Sequence, residues 1–572
     1  MSTRILLLSN VRPSRSWKIA QRIAREIPGA EVCGIVQRST NKLPYPQQLI
    51  AAGNRKRAIF CGARLATVPQ VLQSVLAVLV DVVLWCIHGC PKDLPKVSTF
   101  TTDRLREKCS QAGSPLLVTD NCADVRIATF IRDQKPDLAI LAGELALDAA
   151  LLAIPGLGTL HAWQQFVQCT QGISELGTEI RVDYVATGSE TARTIAHLTL
   201  PWGLYDGQAG HTLKADLMTD DLLMQAVLGV TNRNPHTSER VTAWMETILA
   251  PALRQAEPFP PAVSAIRPRR YRRVWKLCLD TLLLCSPFVI ARNWYRRWRA
   301  RYPLLILTHH LVTDHPHRMG ISTESFWLQA RFLQRHYRIV SLSDAVDLLH
   351  SGELSVPTAV LTFDDGYADN FLALRAVAEE MEIPITHFIV THPIETHQEF
   401  EHDLAYGERG AFPMTWDQIR YWNGRGAEFG SHTRTHLDCA CTDRAILRQE
   451  ILESRSDIEA QLGRPVPFFA FPFGGRENIS PEAEAIAASA YGHFASGFGG
   501  NNVPHTTTCN GHLFRRNLYA HPWELELELQ SVFDWVERIR RGLHLRTAEA
   551  PDSSRAPLPI APAATSSNPS LT

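Results

Sequence analysis

Two carboxylates, Asp364 and Asp365, stand side by side in LTFDDGYADN at 361–370, and two histidines, His432 and His436, stand in SHTRTH at 431–436. Neighbouring side chains on a strand point to opposite faces, so a regular strand would not aim both aspartates at one site. Asp365 with Gly366 is also a turn signal, and a turn at a strand end removes that objection. Two histidines with three residues between them reach one metal ion when the backbone is helical or tightly turned. Such a pair alone also occurs as ordinary surface or hydrogen-bonding histidines. Asp365 supplies the carboxylate of a two-histidine, one-carboxylate catalytic zinc arrangement.

The elements that must position these groups are short apolar strands: AVLTF before the aspartates and AEFG before the histidines. In parallel α/β architectures the carboxyl ends of the strands open on one mouth, where active sites form. FFAFPFGG at 468–475 is a third such strand, ending in Pro472, Phe473 and Gly474, and LLILT runs into His309 and His310. From about 302 to 542 strand and helix alternate, beginning with PLLILTHH, the helix TESFWLQARFLQRH, RIVSL, the helix SDAVDLLHSG and the strand TAVLTFDDG. This predicts a barrel-like α/β unit of ordinary barrel size.

The first 250 residues form a separate α/β run. The strands RILLLSN, AEVCGIVQ and PDLAILAG alternate with the helices SWKIAQRIAREI, ADVRIATFIRDQ and LDAALLAI, which predicts a doubly wound parallel sheet. Residues 71–87 are almost wholly apolar but carry Gln73, Ser74 and Asp81, which favours a buried or membrane-leaning helix over a span. Prolines 251, 258, 260, 261 and 268 mark a linker. Residues 267–301 then hold eleven Lys or Arg against one acid, with Trp275, Trp294, Tyr295 and Trp298. That mixture suits either a helix lying on an anionic bilayer or a linker helix packed between units. The Pro/Ala/Ser-rich segment 543–572 is expected to be disordered.

Lys plus Arg and Asp plus Glu both number 58, so no global charge argues for nucleic acid. The initial apolar run is too short for a signal peptide core, and the twelve cysteines include no CxxC pair. Reduced thiols and a cytoplasmic location, possible also at the cytoplasmic face of the membrane, are expected.

The order LTHHLV, LTFDDGY, GSHTRTH, FAFPFGG resembles the polysaccharide deacetylase (NodB homology) family over essentially all of 302–540. The resemblance implies a distorted (β/α) barrel and a metal-dependent hydrolase acting on acylated amino sugars. It implies Asp364 as general base and Asp365, His432 and His436 as ligands of a divalent metal, zinc first, with Co, Mn or Ni as alternatives. That chemistry is consistent: a metal polarises the amide carbonyl and acidifies a water whose proton Asp364 takes, and a general acid must protonate the leaving amine. His310 matches the acid histidine of some members, and His521 in LYAHP is the alternative. His309 takes the family's tyrosine position, leaving open which of the two neighbours faces the metal. Where other members carry an arginine that holds the base, this chain has Ala470, and Arg515 or Arg516 is the substitute. Tyr367, Pro472, Phe473 and Arg516 are the expected substrate-side residues, with Phe471 and Trp416 as further candidates for a sugar-facing wall.

KPDLAILAGELALDAALLAIPGLGTLHAW and GTEIRVDYVATGSETA are similar to formyltransferase segments over about 1–230. The family's catalytic asparagine, histidine and aspartate positions fall on His161, Trp163 and Ala186, so a non-catalytic module is expected and no folate. The sequence therefore predicts an N-deacetylase, with a deformylase of a lipid- or nucleotide-linked formamido sugar, or a non-catalytic sugar-binding protein, as alternatives.

Overall fold

The computed structural model describes residues 2–39, 100–121, 124–143, 147, 149–152, 154–168, 176–187, 191–203, 207–253, 286–315, 317–497, 500–504, 511–518 and 522–531. The expected helix at 71–87, residues 267–285, His521 and the 543–572 segment lie outside these.

The first sheet has seven strands: β1 (Thr3–Ser9), β2 (Ala30–Arg38), β3 (Leu116–Thr119), β4 (Leu138–Ala142), β5 (Thr159–Gln168), β6 (Leu176–Val185) and β7 (Arg193–Pro201). Their spatial order is β3-β2-β1-β4-β5-β6-β7. β1–β5 pair in parallel, whereas β6 pairs antiparallel with both β5 and β7. The parallel half is therefore doubly wound as expected, and the antiparallel extension is a feature the alternation of strand and helix did not signal. Alternate β1 residues serve the two faces: Ile5 and Leu7 join one buried cluster, Leu6 and Leu8 another.

The second sheet is made of β8 (Leu304–His309), β11 (Arg338–Ile339), β12 (Thr358–Phe363), β13 (Thr386–Ile389), β14 (Glu428–Ser431), β15 (Phe468–Ala470), β16 (His493–Ser496) and β17 (His512–Asn517). The short pair β9 (Leu311–Val312) and β10 (Gly320–Ile321) lies beside it. All pairings in the second sheet are parallel, and β8 bonds to both β17 and β12. That double pairing closes a seven-stranded barrel, with β11 attached outside the ring on β12. Closure brings the carboxyl ends of β8, β12, β14, β15 and β17 to one rim.

A buried ionic network joins the two units. Arg375 of helix Ala368–Met381 reaches Asp221 of helix Gln208–Thr231 at 2.5 Å, both fully buried, and Arg22 and the Tyr421 hydroxyl share the same carboxylate at 2.8 and 3.0 Å. Glu380 accepts from Arg12 and Lys18, each at 2.8 Å. Four cations and a hydroxyl around two carboxylates compensate charges that would otherwise be costly to bury.

The basic segment supplies helix Pro287–Arg299, capped by Ser286, with Pro287 starting the helix rather than interrupting it. Val289 and Asn293 face inward, and Arg292 and Asn293 bond Gln530. Phe288, Trp294, Tyr295 and Trp298 are exposed and share one face at about 100° per residue. Among the described residues no helix is long and apolar enough to cross a membrane. Cys33, Cys109, Cys439 and Cys441 are free thiols.

Candidate active site

The turn after β12 sets both aspartates. Asp365 has φ 69° and Gly366 φ 90°, two successive left-handed residues that end the pleat. A β-carbon on Gly366 would lie 2.9 Å from Ile389 Cγ2, so both the conformation and the space require glycine. The same rim holds Thr433 (φ 65°), His436 (φ 65°) and Phe473 (φ 59°), so four of the ten described non-glycine residues with positive φ lie at this one place. Such conformations cost about 1–3 kcal/mol each and concentrate where function requires them.

Asp364 is buried, and its carboxylate accepts from Arg515 at 2.6 Å and from the Thr308 hydroxyl at 3.3 Å. Burial alone would raise its pKa, but the Arg515 guanidinium outweighs it, aided by His432 and His310, and holds the carboxyl below its ordinary value. Asp364 is thus kept ionised in a site where water is scarce.

Asp365 is fully buried and neither carboxylate oxygen has a hydrogen-bond partner. Its surroundings are imidazoles: His436 Nε2 at 3.4 Å and His432 Nε2 at 3.6 Å from Oδ1, and His402 Nε2 at 3.6 Å from Oδ2. Burial would raise this carboxyl too; the histidines, His402 foremost, hold it well below the ordinary value. His436 is pushed down to about 3 by burial, and burial lowers His432 as well, so both rings are neutral. The Nδ1 of His432 lies 2.8 Å from the Ala470 carbonyl, which places the ring proton there and leaves the Nε2 lone pair facing Asp365. An unpartnered buried carboxylate beside neutral imidazoles is a donor set suited to a divalent cation. Donor atoms of Asp365, His402 and His436 lie within 4.8 Å of one another.

The SHTRTH loop is held in a tight turn, not a helix. Glu450 accepts from the backbone N–H groups of Arg434 and Thr435 at 2.9 and 2.8 Å and from the Thr435 hydroxyl at 2.9 Å.

The two neighbouring histidines separate. His309 packs edge-on against Phe363, and burial pushes it down to about 3. His310 follows just past the end of β8, its ring 6.3 Å from that of His309 and edge-on to it, and its carbonyl accepts from the Asn370 amide at 2.8 Å. Of the expected substrate-side residues, Phe473 is 55% exposed with its ring edge-on to His436 at 4.8 Å. Pro472 is buried in the turn that presents it. Tyr367 is buried, its hydroxyl donating to Asp403 at 2.8 Å, so it braces the site from behind rather than facing a ligand. Phe471 is core, and Trp416 is partly buried against the same core.

Arg516 is a correction. It is buried against Glu528 and the Gly500 carbonyl, and its neighbour Arg515 is the one that meets Asp364. Successive strand residues face opposite sides, so only one of the two can enter the barrel. His402 and Asp403, in the short helix Glu401–Ala405, were not anticipated, because no spacing relative to the aspartates or SHTRTH marks them.

In the first unit, the ring of His161 lies 3.2 Å from the Gly143 carbonyl, and Trp163 donates to Asp183 at 3.0 Å.

Residues 351–490 match the family model described as polysaccharide deacetylase. That segment carries Asp364, Asp365, His402, His432, His436 and Phe473. Among solved structures, the Streptococcus pyogenes deacetylase PplD in complex with acetate is similar at 19% identity and a TM-score of 0.34, covering 40% of this chain and 99% of that one. IcaB from Ammonifex degensii is similar at 19% identity and a TM-score of 0.34, covering 40% and 97%. Glycinamide ribonucleotide transformylase 1 from Symbiobacterium toebii aligns at 13% identity and a TM-score of 0.25, covering 41% and 89%. No curated protein matches the chain in sequence.

Proposed function

We propose that this chain is a metal-dependent amide hydrolase that removes the N-acetyl group from an amino sugar of a polysaccharide, oligosaccharide or glycolipid. The observation that carries this is the pairing of two differently treated carboxylates: Asp364, ionised and held by Arg515, beside Asp365, buried without a hydrogen bond among neutral imidazoles. Asp365, His432 and His436 would hold a divalent cation, zinc first, which supplies Lewis acidity and a water of lowered pKa. Asp364 is the base: Arg515 donates to one of its carboxylate oxygens and Thr308 to the other, which fixes its orientation beside Asp365. His310, the residue just past the end of β8, is the proton donor to the leaving amine. Phe473 offers an exposed aromatic surface for a sugar ring beside His436.

Residues 1–250 act as a docking module rather than a second enzyme, supported by His161, Trp163 and Ala186 at the positions where formyl transfer would need its asparagine, histidine and aspartate. The helix Pro287–Arg299 supports a place at the cytoplasmic face of a membrane, because its four exposed aromatics are flanked by Arg297, Arg299 and Arg301 with no acid. Vesicles rich in phosphatidylserine should sediment the protein, and Trp294→Ser with Trp298→Ser should abolish this.

The test is release of acetate or formate from N-acetyl, N-formyl and O-acetyl sugars by the full chain with zinc or cobalt added. Acetate release from an N-acetyl sugar supports the proposal. Preference for the N-formyl sugar selects the deformylase instead, and no release from any substrate by metal-loaded protein sinks the enzyme reading.

A further inference from the structure

His402 lies 30 residues before His432 in sequence and belongs to none of the strand ends that form the rim, yet its ring enters the site. It stacks on the His436 ring with centroids 4.1 Å apart, and its Nε2 stands 3.6 Å from Asp365 Oδ2, just beyond hydrogen-bond reach. The two oxygens of Asp365 are thereby differentiated: His432 and His436 face Oδ1, and His402 faces Oδ2.

The placement of His402 is tied to the turn that sets Asp365. Tyr367 follows that turn directly and donates its hydroxyl proton to Asp403 Oδ2 at 2.8 Å, and the Tyr367 ring packs on Phe400 at 4.6 Å. Helix Glu401–Ala405 is thus held from both ends of its first turn. Since the phenol proton is committed to Asp403, the Tyr367 oxygen can act only as an acceptor toward His402 Nε2, 3.2 Å away. Behind Asp403 stands His317. Its Nδ1 accepts from the Met319 N–H at 3.2 Å, so the ring N–H is on Nε2, 3.6 Å from Asp403 Oδ1. Both sides of Asp403 therefore face donors, and His402 Nε2 is oriented as a donor as well.

A catalytic metal site keeps one position open, with three protein ligands, while four protein ligands make a closed, structural site. Asp365 Oδ1, His432 and His436 already supply three. We propose that His402 is a positioning residue for this centre: its Nε2–H, shared between the Tyr367 oxygen and Asp365 Oδ2, fixes the carboxylate so that Oδ1 is the ligand oxygen. The inference rests on the metal-dependent reading above and adds to it a residue from the segment between the two motifs, supported by Tyr367, Asp403 and His317. Partners of this kind change metal affinity about 10- to 100-fold when removed.

The experiment titrates Zn²⁺ into metal-stripped full-length protein by chelator competition and records the visible spectrum of the Co²⁺ form. Expected for His402→Phe are Zn²⁺ binding about 10- to 100-fold weaker and Co²⁺ bands at wild-type position and intensity, since no ligand is lost. His402→Gln, which restores a side-chain N–H donor, should recover most of the affinity. If His402→Phe does not fold, His402→Asn, polar but too short to reach Oδ2, is expected to show the same weakening. Undiminished Zn²⁺ affinity would overturn the proposal. So would Co²⁺ bands that change, because His402 would then be a ligand, or a His402→Gln protein as weak as His402→Phe. Wild-type protein that binds no metal would instead remove the metal reading itself, and this inference with it.

Discussion

Replacing Arg515 with methionine isolates the group that keeps Asp364 ionised. Both side chains are almost wholly buried and meet at 2.6 Å, and without the guanidinium Asp364 keeps one long hydrogen bond from Thr308. Removing one member of a buried pair costs about 3–5 kcal/mol because the other charge is stranded. At about 2–4 °C per kcal/mol for a unit of this size, the melting temperature of the metal-free protein should fall by about 6–20 °C. Adding Asp364→Asn removes the stranded charge, so the double variant should be more stable than Arg515→Met alone. The pH profile has a definite sign. Asp364 must be deprotonated to act as base, and Arg515 holds its pKa down against burial, so Arg515→Met should move the acid limb of kcat/KM to higher pH. Calorimetric melting of the four members of the cycle, with rate profiles of the active ones, reads both effects. Destabilisation that simply adds in the double variant, with an acid limb that stays in place, would refute the coupling of Arg515 to Asp364.

Three further outcomes are expected. Asp365→Asn should abolish zinc binding, because it removes the only carboxylate of the proposed ligand set; zinc affinity that persists in Asp365→Asn counts against Asp365 as a ligand. Glu380 would be raised by burial, but Arg12 and Lys18 push it down to about 2, so its contribution of about 3 kcal/mol is present above the ordinary glutamate pKa of about 4.5 and is lost as pH falls toward 2. Melting curves between pH 5 and 3 should steepen relative to Glu380→Gln, and parallel curves would exclude this. Phe473→Ala should raise KM with a melting temperature nearly unchanged, since the ring is 55% exposed and leaves no cavity; an unaltered KM would remove Phe473 from the sugar-binding surface.

The strand ends were readable because each is a short apolar run followed at once by polar or turn residues, as in TFDDGY and FGSHTRTH. That pattern located Asp364, Asp365, His432 and His436, and Gly366 announced the bend that lets adjacent aspartates share a site. Choices between neighbours were not readable. Arg515 and Arg516 have the same chemistry and alternate across β17, and only the register with β8, Arg515 opposite Ile306, decides which enters the barrel. His309 and His310 pose the same problem at the end of β8. His402 was invisible for another reason: a five-residue helix between two strands has no periodicity that relates it to residues on the rim. In the first sheet, parallel strands followed from alternation with helices, but among the described residues no helix separates the antiparallel β6 and β7, so no such alternation announced them.

The central claim is that one bound metal beside Asp364 makes this chain an amide hydrolase. The direct test is acetate release from an N-acetyl amino sugar as metal-stripped protein is titrated with zinc. Turnover should rise from none to a plateau at one equivalent per chain, and Asp364→Asn should bind the same equivalent with little turnover. Turnover without metal, or full metal occupancy with equal rates in Asp364→Asn and wild type, would contradict the account.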